Sequence, residues 1–410
     1  MPEKLIVLRH CKKIDPSDIS TYMSAGGFNG LNRARKEMSP KEVIREIETS
    51  ELRGRGGAGF GCGAKWEMAA ESDDPDKFMI CNADEGEIGT FKDRYMLEND
   101  PFSVIEGILI ACYAMGAGRA FIYLREEYTF LAQQVRSAIE QTAEKGFSQG
   151  IDIQLVQGAG AYVCGEESAL MESIEGKRGE PRIRPPFPTN RGLFGKPTII
   201  NNVETLMNIP WILKNGGKRF REIGTTGNRG TKAFCVSGDV LRPGVYELPL
   251  GTPLKELVYD HAGAGAVQMV QVGGGAGRII PEENLEVPLT YETALGSGAV
   301  MVMDHSRDVM DVVHSALEFF AEESCGKCAP CREGTKVLLE TFKRILEGKG
   351  AAVDLQMMMD LGRVMQMSSL CGLGQAAPIP LLDSLDHYGS VYESRMAQSR
   401  LLLGIKGYER

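Results

Sequence analysis

Hydrophobic positions recur along the chain in patterns that differ between regions, and each pattern predicts a different kind of structure. Between residues 66 and 225, short apolar runs alternate with helix-forming stretches near 92–116 and 128–145. The apolar runs, which are typical of buried strands, are FMIC at 78–81, AFIYL at 120–124 and IDIQLV at 151–156. Strands that alternate with helices in this way predict parallel βαβ units and an α/β fold.

The rest of the chain shows other patterns. Ser39, Pro40 and Glu42 form a helix start, with an N-cap, a proline in the first turn and an early acidic residue. Short strand-like runs between glycine and proline turns predict a separate α+β module before His305. After His305 the chain is helix-forming and rich in methionine, and we expect three cysteines to open one of these helices. The predicted domain boundaries are 1–50, 51–228, 229–305 and 306–410.

Composition and charge argue against several classes of protein. The 410 residues carry a formal net charge of −9 without a basic tract, which argues against nucleic acid as a partner. No run of roughly 18 apolar residues predicts a transmembrane helix, and the first residues do not resemble a secretory signal. We therefore expect a cytoplasmic protein, soluble or peripheral to a larger complex, whose ten cysteines are thiols or metal ligands.

Four cysteines have the spacing of a metal cluster site. Two residues separate Cys325 from Cys328 and Cys328 from Cys331, and Cys371 is the only cysteine that follows them. Structural zinc sites usually combine two separated C-x2-C pairs. A tight C-x2-C-x2-C run with a remote fourth cysteine is instead typical of a [4Fe–4S] cluster. The spacing favours the cluster, with a zinc site and a set of buried thiols as the alternatives.

A glycine-rich loop matches a nucleotide-binding motif in its letters but not in its context. Gly54, Gly56 and Gly59 fit G-x-G-x-x-G, but a charged helical pattern precedes them where a Rossmann fold requires a strand. Lys65 is followed by Trp66 instead of Ser or Thr, which disfavours a P-loop. Glycines that let backbone N–H groups approach a phosphate still indicate a nucleotide or phosphate site, with a turn-rich connector as the alternative.

Two acidic segments follow predicted strands. Asp84, Glu85 and Glu87 lie in the first segment, whereas Glu166 and Glu167 follow a glycine turn and open a predicted helix. One interpretation is that these carboxylates cap the helices, where the helix dipole favours negative charge. The other is that they accept hydrogen bonds from the hydroxyl groups or the carboxamide of a nucleotide cofactor.

Six segments in this order resemble one family. They are RGRGGAGFGCGAKW, CNADEGEIGTFKDR, GAGAYVCGEESAL, RPPFP at 184–188, NNVET at 201–205, and ESCGKCAPCREGT with the later LCGLG. They are similar to segments of the NADH-oxidising flavoprotein subunit of respiratory complex I and of its relatives in soluble NAD-linked hydrogenases and formate dehydrogenases. The resemblance implies a Rossmann-like domain for FMN and NADH, a ubiquitin-like α+β module, and a C-terminal helical bundle that carries one [4Fe–4S] cluster.

The resemblance also implies roles for individual residues. Those implied to contact FMN are Gly54, Arg55, Gly56, Gly57, Lys65, Asn82, Asp84, Glu85, Tyr162, Gly165, Glu166, Asn201 and Asn202. Those implied to contact NADH are Phe60, Lys65, Glu87, Glu167 and Phe187, of which Lys65 and Glu87 are assigned to the catalytic site. The implied cluster ligands are Cys325, Cys328, Cys331 and Cys371.

The implied function is electron input. NADH would pass a hydride to FMN, and single electrons would move to the cluster and on to partner subunits. The implied partners are a thioredoxin-fold [2Fe–2S] subunit and a larger iron–sulfur or catalytic subunit. The complex would be of the complex I type or a soluble hydrogenase or formate dehydrogenase, with electron bifurcation or NAD reduction as further options. The alternative is a non-catalytic iron–sulfur scaffold subunit with a degenerate flavin site.

The sequence departs from the family's pattern in two places. Gly61 and Cys62 stand where the family commonly has a Pro-Thr pair, and Ile88 stands where a proline commonly follows the acid at Glu87. Both departures lie beside the implied nucleotide site, where they would change the stiffness of the loops.

Overall fold

The computed structural model describes residues 5–293 and 295–402, with the backbone alone for 397–402. Predictions that fall on residues 1–4, on Ala294 or on residues 403–410 lie outside the described residues. Three helices precede the glycine loop, α1 (Ile19–Ser24), α2 (Asn29–Glu37) and α3 (Pro40–Ser50). The predicted start of α3 is confirmed, because Ser39 and Glu42 form a reciprocal capping box. Buried side chains of these helices share one core with the sheet that follows.

A four-stranded parallel sheet forms the centre of the next region. Its strands are β1 (Phe78–Ala83), β2 (Arg119–Leu124), β3 (Asp152–Gln157) and β4 (Thr198–Asn202), in the order β3-β2-β1-β4. The hydrophobic pattern predicts the first three strands but not β4. The chain leaves β1 towards β2 on one side, whereas β4 pairs with β1 on the other. Open parallel sheets bind ligands at the carboxyl ends of the strands beside such a reversal.

Helices pack around this sheet. They are α4 (Cys62–Ala70), α5 (Lys92–Asn99), α6 (Pro101–Met115), α7 (Ala132–Glu144), α8 (Glu167–Ile174), α9 (Pro188–Arg191), α10 (Val203–Asn215) and α11 (Gly217–Arg221). The stretch predicted as helical near 92–116 is divided at Asp100, because this residue caps α6 by accepting a hydrogen bond from Ser103 N at 3.0 Å. A proline at the first helical position completes this start.

The predicted α+β module contains a mixed five-stranded sheet in the order β10-β9-β11-β7-β8. The strands after β4 are β5 (Gly224–Thr225), β6 (Asn228–Arg229), β7 (Thr231–Gly238), β8 (Gly244–Pro249), β9 (Met269–Val272), β10 (Arg278–Pro281) and β11 (Ala299–Met303). The strands β7 and β11 pair in parallel, and the other pairs of this sheet are antiparallel. We call residues 229–305 the β-module.

The C-terminal region is helical, as predicted. It contains α12 (Val309–Glu323), α13 (Ala329–Leu346), α14 (Ala352–Ser368), α15 (Gly372–Ala376) and α16 (Ile379–Leu402). The expectation that three cysteines open one helix is wrong for Cys325 and Cys328, which precede α13. A left-handed turn at Gly326 (φ 78°) and a proline in the first turn of α13 delay the start of the helix until Ala329.

The methionines of α14 are divided between core and surface. Met358 and Met365 are fully buried, whereas Met367 is 80% exposed. No helix in the described part of the chain is both long and apolar enough to cross a membrane.

Candidate functional site

A cavity of about 580 Å³ lies at the carboxyl ends of β1 and β4, where the α/β domain, the β-module and the helical bundle meet. The sequence-predicted residues that line it are Gly56, Gly57, Asn82, Asp84, Glu85, Glu87, Tyr162, Gly165, Glu166 and Asn202. The β-module contributes residues without a sequence signal, among them Gly273, Ala276, Tyr291, Gly296 and Ser297. The structure thus brings most of the predicted flavin residues to one place.

The glycine loop forms a hairpin against the end of β4. Gly54 N donates to Phe60 O at 2.8 Å, which closes the loop. A Cβ at Gly56 would lie 3.0 Å from Asn202 Cβ, so the backbone approaches β4 more closely than most side chains allow. Helix α3 precedes the loop, so its context differs from the strand–loop–helix of a Rossmann motif, as the sequence indicates.

Arg55 is buried and its guanidinium lies in a network with the β-module. It donates to Thr231 O at 3.0 Å, to Arg229 O at 2.6 Å and to Tyr291 Oη at 2.6 Å. These bonds join the glycine loop to the β-module. A flavin contact by Arg55 stays a prediction, since this residue does not line the cavity.

Asp84 and Glu85 have different surroundings. The buried Glu85 accepts hydrogen bonds from Asp93 N at 2.8 Å and Arg94 N at 3.0 Å, so it caps α5, as one sequence interpretation predicts. Asp84 Oδ2 is buried without a hydrogen-bond partner. Burial raises the pKa of Asp84 to about 7. An unpartnered buried acceptor costs about 1–3 kcal/mol, which a ligand that donates a hydrogen bond would recover.

Glu87 is held from two sides. Tyr162 Oη donates to Glu87 Oε2 at 2.8 Å, and the backbone N–H of Ala276 in the β-module donates to Oε1 at 3.2 Å. Burial raises the pKa of Glu87, and these donors oppose that effect.

A second carboxylate is paired with cations. Lys65 Nζ lies 2.8 Å from Glu167 Oε2 and 2.9 Å from Ile200 O, and Arg184 Nη1 lies 3.1 Å from Glu167 Oε1. Burial favours the neutral form of Glu167, but Lys65 and Arg184 outweigh it and lower its pKa. Glu167 is therefore a carboxylate at neutral pH, and its charge is offset by two cations.

Phe60 and Phe187 present exposed rings. Phe60 is 53% exposed and Phe187 is 54% exposed, so each has a face free for stacking on a planar ligand. Neither residue lines the cavity, and their contact with NADH stays a prediction.

The remaining predicted polar residues help to shape the strand ends. Asn82 Nδ2 donates to Gly165 O at 2.9 Å, which ties β1 to the turn before α8. Asn201 is buried, and its Oδ1 accepts a hydrogen bond from Trp66 Nε1 at 2.9 Å. Glu166 caps α8 by accepting a hydrogen bond from Ala169 N at 2.9 Å.

A chain of buried charges connects the cavity to the β-module. Lys92 Nζ lies 2.7 Å from Asp93 Oδ1 and 3.1 Å from Glu204 Oε2, and Lys232 Nζ of β7 lies 2.6 Å from the same Glu204 oxygen. Asn202 joins this chain, since its Oδ1 accepts from Lys92 at 3.1 Å and its Nδ2 donates to Asp93 at 2.6 Å. The two members of the Lys92–Asp93 ion pair therefore fix the direction of the Asn202 amide.

Sequence reasoning did not find the roles of Lys92 and Asp93. The signal was present in the letters FKDR at 91–94, which contribute to the family resemblance without a role of their own. An ion pair between adjacent residues at the start of a helix has no periodic signature, because its partners, Glu204 in α10 and Asn202 in β4, lie more than 100 residues away.

The four cysteines of the predicted cluster site line one small cavity, together with Leu373. Leu370 N lies 3.5 Å from Cys328 Sγ, and Ser324 Oγ lies 3.2 Å from Cys331 Sγ. Within the described ranges, no three His, Cys, Asp or Glu side chains converge on a single metal ion. Burial raises the pKa of Cys331 to about 11.

Leu373 lines both the cysteine cavity and the larger cavity. Its neighbour Gly372, which follows Cys371, also lines the larger cavity. One layer of residues around Cys371 therefore separates the two sites.

Models of known protein families match three parts of the chain. Residues 47–211 match the Nuo51 FMN-binding domain, and residues 311–395 match the iron–sulfur binding region of NADH-ubiquinone oxidoreductase F. Residues 233–272 match the SLBB domain and lie within the β-module.

Individual relatives match over most of the chain. The HndC protein of the NADP-reducing hydrogenase of Solidesulfovibrio fructosivorans is 42% identical, over 95% of this chain and 83% of that protein. A subunit of the NADH-quinone oxidoreductase of Rhizobium meliloti is 40% identical, over 96% of this chain and 98% of that protein. The alpha subunit of the NAD-reducing hydrogenase HoxS of Cupriavidus necator is 40% identical, over 88% of this chain and 62% of that protein.

A solved structure confirms the fold. A chain of an NAD⁺-reducing [NiFe]-hydrogenase in the air-oxidized state superposes with a TM-score of 0.87 at 38% identity, over 98% of this chain and 72% of that chain. This chain therefore shares its Rossmann-like domain, its β-module and its helical bundle with that hydrogenase chain. The chain belongs to the family of FMN- and [4Fe–4S]-binding flavoprotein subunits found in complex I and in NAD-reducing hydrogenases.

Proposed function

We propose that this chain is the electron-input subunit of an NAD-linked oxidoreductase complex, in which it oxidises NADH and delivers single electrons to a [4Fe–4S] cluster. The observation that carries the proposal is the arrangement of the two cavities, which share Leu373 as part of their walls. A ligand in the larger cavity lies beside the four cysteines, and short distances favour electron transfer.

The chemistry of the larger cavity fits FMN. The unpartnered Asp84 Oδ2 offers an acceptor to a ligand hydroxyl, and Gly56 and Gly57 bring the backbone of the glycine loop to the cavity wall. When bound, FMN accepts two electrons together and releases them one at a time. The residues proposed to hold it are Gly54, Arg55, Gly56, Gly57, Lys65, Asn82, Asp84, Glu85, Tyr162, Gly165, Glu166, Asn201 and Asn202, of which Gly54, Arg55, Lys65 and Asn201 do not line the cavity.

The residues proposed for NADH position it and balance its charge. Glu87 and Glu167 offer carboxylates to ribose hydroxyls or to the carboxamide, while Lys65 offsets the charge of Glu167 at 2.8 Å. The exposed rings of Phe60 and Phe187 offer stacking faces to the adenine. No side chain acts as an acid or base, because hydride transfer needs alignment of the two rings and not a proton.

The match of residues 311–395 to an iron–sulfur binding region supports a cluster among the C-terminal helices. We propose Cys325, Cys328, Cys331 and Cys371 as its ligands, because these four thiols share one cavity. Cys328 Sγ accepts a hydrogen bond from Leu370 N at 3.5 Å, and hydrogen bonds to the sulfurs tune the reduction potential of a cluster.

The named relatives are subunits of complex I or of NAD-linked hydrogenases, so the chain works within a multi-subunit complex. We propose a thioredoxin-fold [2Fe–2S] subunit and a larger iron–sulfur or catalytic subunit as its partners, since a flavin and one cluster do not by themselves reduce a final acceptor. The proposed location is the cytoplasm or the cytoplasmic face of a membrane complex.

Equilibrium binding tests the nucleotide half of the proposal. In FMN-loaded protein, replacement of Glu167 by Ala (Glu167→Ala) removes the carboxylate between Lys65 and Arg184, and we expect the Kd for NAD⁺ to rise about tenfold. The measurement is titration with NAD⁺, followed through the flavin spectrum. Glu140→Ala, which removes an exposed carboxylate on α7, is the matched control and is expected to leave the Kd unchanged. Wild-type protein that holds FMN but binds no NAD⁺ would favour the scaffold interpretation instead.

A further inference from the structure

The β-module reaches into the cavity at Glu87. A glycine-rich turn at 273–277, between β9 and β10, lies directly against this side chain. A Cβ at Gly274 would lie 2.1 Å from Glu87 Cγ, and the φ of Gly274 is +92°. Only glycine fits this position, because a side chain would collide with Glu87 and because L-residues with a Cβ rarely adopt this φ.

The turn also supplies a hydrogen bond. Ala276 N donates to one oxygen of Glu87 at 3.2 Å, while Tyr162 Oη donates to the other at 2.8 Å. One donor comes from the β-module and one from the α/β domain. The direction of the carboxylate therefore depends on how the β-module packs against the sheet.

The residues after Glu87 are packed against the β-module too. A Cβ at Gly275 would lie 2.7 Å from Ile88 Cδ1, and Thr90 Oγ1 lies 2.7 Å from Ser297 Oγ. Ile88, which stands where the family commonly has proline, thus packs against the glycine turn.

We infer that the glycine turn at 273–277 is a positioning element for Glu87 and thereby sets the affinity of the site for the nicotinamide dinucleotide. The inference rests on the proposed function, in which Glu87 contacts NADH. The β-module is then part of the dinucleotide site, acting through the carboxylate that it orients.

The test uses protein loaded with FMN and cluster and measures the Kd for NAD⁺, which binds without reducing the flavin. Gly274→Ala displaces Glu87, and we expect the Kd to rise about tenfold while flavin content and cluster signal stay unchanged. In turnover, the KM for NADH rises while kcat changes little, which separates positioning from general damage. Gly265→Ala is the matched control in the same module, because no atom lies within 4 Å of the added Cβ.

A double-variant cycle shows whether the effect passes through Glu87. In the Glu87→Ala background, Gly274→Ala is expected to cause no further loss of affinity. The inference is overturned if the Kd of Gly274→Ala equals that of wild type, or if the loss is the same in both backgrounds. Failure of wild-type protein to bind NAD⁺ would contradict the proposed function instead. Should Gly274→Ala fail to fold, Gly275→Ala, which presses on Ile88, is measured against the same control.

Discussion

At the scale of single residues, Asp84 differs most from the rest of the site. Its Oδ2 is buried without a hydrogen-bond partner, and burial raises its pKa to about 7. The charge of Arg125 opposes this shift, whereas Glu127 and Glu323 add to it. The neighbouring Glu85, by contrast, has its donors from α5. The sequence places both acids after β1 but does not distinguish them, because which acid meets the N-terminus of α5 depends on the path of the chain between β1 and α5.

Asp84→Asn tests this assignment in flavin-free protein. The folded-state pKa lies above the ordinary value of 3.8, so the folded protein holds an extra proton between about pH 4 and 7 and loses stability as pH rises through that range. Asparagine stays neutral and avoids this loss. We measure the free energy of unfolding by urea at pH 5 and at pH 8. Between these pH values the variant is expected to gain about 2–4 kcal/mol of stability relative to wild type. An equal difference at both pH values would contradict the assignment.

At the scale of elements, local signals predict local structure. The cap at Ser39 and the apolar runs of β1, β2 and β3 are visible in a few consecutive letters, and the structure confirms them. The hydrophobic pattern does not predict β4, because this strand is recognised only by its pairing with β1. The start of α13 is predicted too early, because the left-handed turn at Gly326 delays the helix. The same reason applies to the buried ion chain. It joins α5, α10 and β7, and no local pattern records such a contact.

The ion chain predicts a large effect of Lys232 on stability. Lys232→Met leaves Glu204 fully buried with one of its two cations removed, which we expect to lower the free energy of unfolding by about 3–5 kcal/mol. Chemical denaturation measures the change. Lys255→Met, which breaks the exposed pair with Glu286 in the same module, is the control and is expected to cost less than about 1 kcal/mol. Equal losses in the two variants would mean that the buried chain does not stabilise the junction.

At the scale of the whole molecule, three parts of the chain build one electron path. The α/β domain supplies the glycine loop and the acids, the β-module supplies the turn over Glu87, and the helical bundle supplies the cysteines. The family resemblance predicts these three parts and the residue set from the sequence. It does not predict that the β-module forms a wall of the cavity, because Gly274 and Ala276 become neighbours of Glu87 only when two distant sheets pack together.

The central claim is that electrons from NADH reach a cluster held by the four cysteines, and electron paramagnetic resonance tests it most directly. Anaerobic NADH is added to the loaded protein while flavin bleaching is followed on the same sample. We expect bleaching together with a reduced-cluster signal, and in Cys328→Ser we expect the bleaching to remain while the signal falls at least about tenfold, because one thiolate ligand is lost. Bleaching with an undiminished cluster signal in Cys328→Ser, or no bleaching in wild-type protein that holds FMN, would contradict the account.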